Sequence, residues 1–178
     1  LIQKKGILTT LEALAVVKQR FPSFRHLICG DGPLRQAIAD AVVRFGLQEN
    51  VGLPGWFTQA QLVAEYRRAH LFLHPSEKTN DEDQEGIPNS MLEAMATGLP
   101  GVATLHGGIP EAVMHERDGL LVPERSPEEL AGAITRLMDD PSLLARCSRN
   151  AAASVRAHFG AGAQVAALED AYFEAMTS

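Results

Sequence analysis

The stretch that decides the fold of this chain is Glu85-Gly86-Ile87-Pro88-Asn89-Ser90-Met91-Leu92-Glu93, followed at positions 94–100 by Ala-Met-Ala-Thr-Gly-Leu-Pro. It joins an acidic loop to a short predicted helix and then to a strand. Apolar residues at positions 91, 92, 95 and 96 recur at helical spacing, which predicts that one face of the helix is buried. Glu93 lies off that face, where a ligand or solvent can reach it.

The start of this helix has two interpretations. Ser90 and Glu93 have the S-x-x-E spacing of a capping box, which is a local structural role. A helix start also presents free backbone N–H groups and a partial positive charge, and both suit a phosphate. The two interpretations are compatible, and the sequence leaves both open.

Length and composition exclude several classes of protein. With 178 residues the chain is predicted to form one domain, and its net charge of −6 without a basic run argues against nucleic-acid binding. Cys29 and Cys147 lack metal or redox spacing, which indicates reduced thiols in a cytoplasmic protein. No apolar stretch approaches the length of a membrane span. A peripheral position at the inner face of a membrane stays open.

Strands and helices are predicted to alternate along the chain, which indicates an α/β fold with a doubly wound, Rossmann-like parallel sheet. Leu1-Ile2-Gln3 resembles the end of a strand, so we expect the chain to be a fragment. The predicted strands are 26–30, 50–55, 71–74, 101–105 and 119–122, and the predicted helices besides the central one are 7–20, 34–45, 59–69, 127–138, 142–158 and 163–176.

In such sheets ligands bind beyond the carboxyl ends of the strands, and the unusual residues of this chain follow strands directly. Gly30-Asp31-Gly32 is either a tight turn, which we favour, or a backbone approach to a ligand. Trp56 is either a core residue or a platform for a base. The acidic run 79–85 lacks the alternating spacing of a calcium loop, so no metal site is predicted. Gly107-Gly108 is a turn or a close approach of backbone to ligand.

Together these segments resemble the C-terminal, nucleotide-sugar-binding half of family 4 of the retaining GT-B glycosyltransferases. The segment 85–93 resembles the E-x7-E signature of that family, and the resemblance covers nearly the whole chain. Gly101 departs from the family, which has a β-branched residue there, and the usual Arg five residues before Lys5 would precede Leu1. The other matching pieces occur in the family's order: K-K-G at 4–6, G-D-G-P-L at 30–34, H-G-G-I-P-E at 106–111 and D-G-L-L-V-P at 118–123.

The resemblance implies roles for individual residues. It implies that Glu85 is the catalytic-site carboxylate on the donor sugar hydroxyls, that Glu93 binds the ribose hydroxyls, and that Lys5 binds the donor diphosphate. No cofactor and no metal are implied, because the nucleotide-diphosphate sugar is the donor substrate. The residues expected to bind the donor are Lys5, Gly30, Trp56, Gly86, Ile87, Pro88, Asn89, Ser90 and Glu93.

The implied function is donor binding for a hexosyltransferase of glycan or polysaccharide biosynthesis. Residues 1–178 would form its C-terminal domain, while an N-terminal domain absent from this chain would hold a glycan or lipid-linked acceptor. This chain alone is then expected to be inactive. The last helix carries an apolar stripe that we expect to be exposed, swapped or buried in a homodimer; its members are Val165, Leu168, Tyr172 and Met176.

Two other functions remain open from the sequence. A GT-B-like sugar-nucleotide epimerase would share the architecture, but it needs a second set of acid–base residues. A non-catalytic doubly wound module, such as a receiver-type signalling domain, would need a phospho-accepting Asp at the end of a central strand. The sequence shows neither feature.

Overall fold

A computed structural model describes residues 1–79 and 86–177 of the chain. In these ranges strands and helices alternate up to the fifth strand, and three helices follow. The strands are β1 His26–Cys29, β2 Val51–Gly55, β3 Phe72–His74, β4 Gly101–Thr104 and β5 Gly119–Val122. The helices are α1 Ile7–Arg20, α2 Arg35–Arg44, α3 Gln59–Arg68, α4 Asn89–Ala96, α5 Ile109–Ala112, α6 Pro127–Asp139, α7 Pro141–His158 and α8 Ala161–Thr177.

All described strand pairs are parallel, which confirms the predicted α/β fold. β1 pairs with β2, while β4 pairs with β3 on one side and β5 on the other. The strands therefore form two ladders rather than the single sheet that was predicted, because no described strand hydrogen-bonds to both β1 and β3. Because the strands of each ladder are parallel, the loops that follow them leave from one edge of that ladder.

The two ladders share one hydrophobic core. Ile28 of β1 and Val102 of β4 belong to the same buried cluster as Leu11 of α1 and Leu130 of α6. Leu11 and Leu130 have no exposed surface, and full burial of a side chain of this size contributes about 1.5–3 kcal/mol. The packing of α1 against α6 therefore links the first ladder to the second.

A second buried cluster fixes the position of α4. Met91 and Met95 are fully buried beside Ile109 and Val113, and Ala151 of α7 joins them. Burial of residues 91 and 95 was predicted correctly from helical spacing. Leu92 is only half-buried and Ala96 is exposed, because the buried face is centred on Met91, Ala94 and Met95.

The first residues differ from the prediction. Gln3–Lys5 form a single 3-10 turn rather than the end of a strand. The turn ends at Gly6, whose φ of 59° and close approach to the Pro75 carbonyl oxygen leave no room for a side chain. In addition, the Glu77 N–H donates to the Lys4 carbonyl oxygen at 3.0 Å. The first segment is therefore fastened to the loop that follows β3.

The last helix is exposed along its apolar stripe, which is one of the outcomes expected from the sequence. Val165, Leu168 and Tyr172 are 55%, 57% and 63% exposed, and Met176 is 71% exposed. α8 packs on α7 at its start. Its apolar residues therefore contribute little to the core of this domain.

Candidate functional site

The candidate site is built from loops at the carboxyl ends of the strands. Leu1 and Lys4 connect two of them, because the Leu1 carbonyl oxygen accepts a 3.2 Å hydrogen bond from the Leu34 N–H, while the Lys4 carbonyl oxygen bonds to the loop after β3. Lys5, which follows the second attachment directly, is half-buried. The structure thus places Lys5 beside the loops that follow β1 and β3, at the ligand-binding edge expected for such sheets.

The start of α4 is not a capping box. Pro88 occupies the N-cap position with φ −68° and ψ 121°, and within residues 1–79 and 86–177 no side chain caps the helix. Ser90 is the second helical residue, so the capping interpretation of Ser90 and Glu93 is wrong. Helix geometry leaves the N–H groups of Asn89 and Ser90 without intrahelical acceptors. These donors remain available to an oxygen-rich ligand, together with the positive end of the helix dipole.

The loop before α4 lies directly against the loop after β4. A Cβ atom on Gly108 would lie 3.1 Å from the Gly86 carbonyl carbon and 3.0 Å from Ile87 Cγ1. Gly86 is exposed and Ile87 is half-buried. A larger residue at Gly108 would crowd this contact, so glycine favours the close approach, and the two predicted backbone segments meet in one place.

Glu93 lies one turn into α4 and faces α3. It is half-buried, and its charge is close enough to affect Tyr66. Burial, with the charges of Glu93 and Cys29 adding to it, raises the pKa of Tyr66 to about 12. The charge of Glu93 therefore acts on Tyr66 of α3, the helix against which α4 packs.

The loops after β1 and β2 meet through backbone atoms. The Gly30 N–H donates to the Gly55 carbonyl oxygen at 2.7 Å. Trp56, the next residue, is 78% exposed, so the interpretation of Trp56 as a core residue is wrong. An exposed indole offers a flat aromatic face on which a planar ring of a ligand can stack.

Sequence reasoning missed Glu124, which joins three loops. Its Oε1 lies 2.7 Å from His106 Nδ1, and its Oε2 accepts a 2.8 Å hydrogen bond from the Lys78 N–H. Burial opposes ionisation of this carboxyl, but these hydrogen bonds and the neighbouring charges of His106 and Arg125 outweigh it, so the pKa of Glu124 lies below its usual value. The signal was available, because Glu124 follows the β5 strand as closely as the other candidates follow theirs.

Glu85, the predicted catalytic carboxylate, lies outside the described residues, as do residues 80–84. Across ranges 1–79 and 86–177, no group of three or more His, Cys, Asp and Glu side chains is arranged to hold a metal ion. In the same ranges no helix combines the length and the apolar character that crossing a membrane requires.

The arrangement suits a ligand that carries both phosphate and vicinal hydroxyl groups. The α4 start supplies backbone donors and a partial positive charge, and Lys5 supplies a cation at the same edge. Glu93 supplies an ionised acceptor that can receive hydrogen bonds from two neighbouring hydroxyls. The exposed ring of Trp56 lies in the loop that directly follows β2.

Comparisons with known proteins show the family of the chain. Residues 1–154 match the family model described as glycosyl transferases group 1. The chain is 39% identical over 131 residues to WcaL of Escherichia coli (strain K12), which is named as a colanic acid biosynthesis glycosyltransferase; the match covers 74% of the chain and 32% of the relative. It is 38% identical over 137 residues to the amylovoran biosynthesis glycosyltransferase AmsK of Erwinia amylovora, covering 77% and 34%.

A solved structure extends the likeness to the fold. The chain superposes with a TM-score of 0.77 and 25% identity on Anabaena HepE in complex with UDP-glucose, covering 88% of this chain and 42% of that one. Structural neighbours of this kind are GT-B glycosyltransferase domains, which confirms the Rossmann-like half that was predicted. The chain spans about a third of the length of the curated relatives that it matches.

Proposed function

Because the chain belongs to the glycosyl transferases group 1 family, we propose that it binds the nucleotide-diphosphate sugar for a retaining, family 4 hexosyltransferase. The observation that carries the proposal is the start of α4. There, uncapped backbone donors, the close packing of Gly86 on Gly108, and Glu93 one turn later lie on one short segment. A helix start of this kind fits a phosphate, and a carboxylate one turn further fits a ribose diol.

In this proposal each part of the donor has its own partners. The diphosphate and the sugar bind the backbone of residues 86–90 and Lys5, and Glu85 accepts from the sugar hydroxyls. Glu93 accepts from the ribose hydroxyls, and Trp56 stacks on the base. If Lys5, the helix terminus and the Arg that the family places five residues before Lys5 together neutralise the diphosphate, the site requires no metal. Pro88 contributes its fixed φ angle rather than a hydrogen bond.

We further propose that this domain works with an N-terminal domain that holds a glycan or lipid-linked acceptor. WcaL and AmsK are named for exopolysaccharide biosynthesis, which supports a polysaccharide as the product. Transfer requires acceptor and donor atoms held within about 3–3.5 Å of each other in the correct orientation. A donor domain alone cannot provide that position, so the chain by itself is expected to transfer no sugar. The enzyme would act at the cytoplasmic face.

The test has two parts. Calorimetric titration with UDP, GDP and ADP sugars should show binding of one of them in the high micromolar to millimolar range. A radiolabelled sugar-nucleotide assay should then show transfer by a longer enzyme that includes the proposed N-terminal domain, but not by residues 1–178. Absence of binding for every donor would disprove the donor role. Transfer by the chain alone, at a rate comparable with that of the longer enzyme, would disprove the half-enzyme proposal.

A further inference from the structure

Glu124 stands outside the residues assigned to the donor, yet it contacts the loops that carry them. It lies two residues after β5, and its two carboxylate oxygens go to different loops. Oε1 meets His106 after β4 at 2.7 Å, and Oε2 meets the Lys78 N–H after β3 at 2.8 Å. Since an ionised carboxylate only accepts hydrogen bonds, His106 donates through Nδ1. One side chain therefore fixes the spacing of three strand-end loops.

His106 links Glu124 to the loop before α4, residues 86–90. Its side chain is 2% exposed, its N–H donates to the Thr104 carbonyl oxygen at 2.8 Å, and its own carbonyl oxygen accepts from Ile109 at 3.0 Å. The ring and the backbone of His106 are thus held on both sides. Two residues later Gly108 packs against Gly86 and Ile87 at close to the contact limit, so a shift of His106 displaces the loop before α4.

Further side-chain contacts join the loop after β3 to β4, to the loop after β5 and to α1. Thr104 Oγ1 donates to the Ser76 carbonyl oxygen, and the Arg125 guanidinium donates to the Lys78 carbonyl oxygen. Thr9 Oγ1 donates to the Glu77 carboxylate at 3.4 Å. These contacts orient the loop that leads into the acidic run, so its base is fixed relative to β4 and β5.

We propose that Glu124 and His106 are positioning residues that hold the backbone of residues 86–90 in the geometry that binds the donor diphosphate. The inference rests on the proposed function. It predicts a selective effect, because residues 86–90 face the diphosphate and sugar, whereas Glu93 and Trp56 face the ribose and base. Loosening the Glu124–His106 pair should therefore weaken binding of a nucleoside diphosphate more than binding of the corresponding monophosphate.

The experiment measures dissociation constants by calorimetry for UDP, GDP and ADP, and then for the monophosphate of the base that binds best. Glu124→Ala and His106→Leu should each weaken diphosphate binding about tenfold and change monophosphate binding less than twofold. His106→Asn should restore diphosphate binding to within about threefold of wild type, because the Asn amide places an N–H donor near the position of Nδ1. Glu124→Gln keeps one of the two acceptor oxygens, so its dissociation constant for the diphosphate should lie between those of wild type and Glu124→Ala.

Asp139→Asn is the matched control, since the Arg20–Asp139 pair at 2.9 Å lies at the ends of α1 and α6 away from this edge. It should leave both dissociation constants unchanged. Equal weakening of mono- and diphosphate binding in His106→Leu, or wild-type diphosphate binding in Glu124→Ala, would overturn the positioning role while leaving the donor role intact. If wild type binds none of the three diphosphates, the proposed function itself fails, and this inference fails with it.

Discussion

The loops after β3, β4 and β5 and the loops after β1 and β2 occupy the same kind of position but are held differently. The first group is tied by side chains, with Glu124 bonded to His106 and to Lys78. In the second group Gly30 meets Gly55 through a backbone hydrogen bond, and Trp56 beyond them is 78% exposed. The loops after β3, β4 and β5 are therefore called the fixed half and those after β1 and β2 the adaptable half; in the proposed function the diphosphate and sugar would bind the first and the base the second.

Substitution of Gly108 by Val should break the fixed half most severely. The new side chain would begin 3.1 Å from the Gly86 carbonyl carbon and 3.2 Å from the Ile87 nitrogen, so this backbone must give way by a few tenths of an ångström, and we expect that to disturb its donors. Loss of two hydrogen bonds to charged oxygens, at about 1.5–3 kcal/mol each, should weaken nucleoside diphosphate binding roughly a hundredfold or more. Calorimetry measures this loss, and circular dichroism checks the fold.

Gly132→Ala is the control for that variant, because a Cβ at this α6 position meets nothing within 4 Å. It should leave binding unchanged and raise the free energy of unfolding by about 0.5–1 kcal/mol, as expected for Ala in place of Gly in a helix. Wild-type binding by a folded Gly108→Val protein would show that the close approach to Gly86 has no role in the site.

Glu93→Gln should have the next largest effect. Gln keeps the size of the side chain but loses the ionised acceptor, so nucleotide binding should fall about tenfold, which corresponds to roughly 1.4 kcal/mol. Stability should hardly change, because Pro88 and not Ser90 occupies the N-cap. For the same reason Ser90→Ala should leave the free energy of unfolding unchanged in urea denaturation. A stability loss of 1 kcal/mol or more in either variant would favour a structural role.

Periodicity and strand position were sufficient for most of the fold. Gly119–Val122 was predicted with the bounds that the structure has, because a short apolar run between turns has few alternatives. The helix at Ile109–Ala112 was missed since it has only four residues, too few to show a period. The capping box failed because local spacing ignores the residue before it, and Pro88 already holds the extended conformation that an N-cap needs.

Contacts that depend on tertiary structure could not be predicted. Trp56 belongs to a residue type that is often buried, and only the packing of β2 shows that it lies outside. Glu124 and His106 are 18 positions apart, and their 2.7 Å contact follows from the pairing of β4 with β5. Gly101 departs from the β-branched residue of the family, and a Cβ there would lie 3.9 Å from Val113 Cγ2, an ordinary contact, so space does not require glycine at this position.

Trp56→Ala should test the adaptable half with a smaller effect. Stacking of a base on an aromatic side chain contributes about 1–3 kcal/mol, and a ring with 78% exposure should be at the lower end, so binding should weaken about fivefold. Because Trp56 is the only tryptophan, nucleotide binding should also quench the intrinsic fluorescence of the wild-type protein. Unchanged fluorescence at a saturating nucleotide concentration would place the base elsewhere.

The two ladders should also differ in their response to acid. Burial lowers the pKa of His26, at the start of β1, to about 4 from an ordinary value of 6.5. As the pH falls, His26 therefore takes up its proton at a higher pH in the unfolded chain than in the folded one. Protonation favours the unfolded chain, so the free energy of unfolding decreases between pH 6.5 and pH 4. Glu124 has a lowered carboxyl pKa, so its contribution is kept above about pH 4.5 and lost only below it.

Urea denaturation at pH 7.5 and pH 5 separates these contributions. Since His26 keeps part of its surface exposed, solvent screening reduces the loss expected for wild type to about 1 kcal/mol. His26→Gln should lose less, because Gln does not titrate. An equal loss in both proteins would assign the acid sensitivity to other groups.

Removal of α8 should have the smallest effect on stability. This helix belongs to neither group of loops, so its removal should leave both halves of the site intact. Its apolar residues, from Val165 at 55% to Met176 at 71% exposure, bury little surface, so truncation after Gly160 should change the free energy of unfolding by less than about 0.5 kcal/mol. Truncation should instead change the self-association of the protein.

An exposed apolar stripe favours contact between copies, and light scattering across protein concentrations should show self-association that truncation removes. The double variant Leu168→Lys, Tyr172→Lys keeps the helix and removes the stripe, so it should behave as the truncated chain does. A large loss of stability on truncation, with a monomer at every concentration, would mean that α8 packs on its own domain in solution.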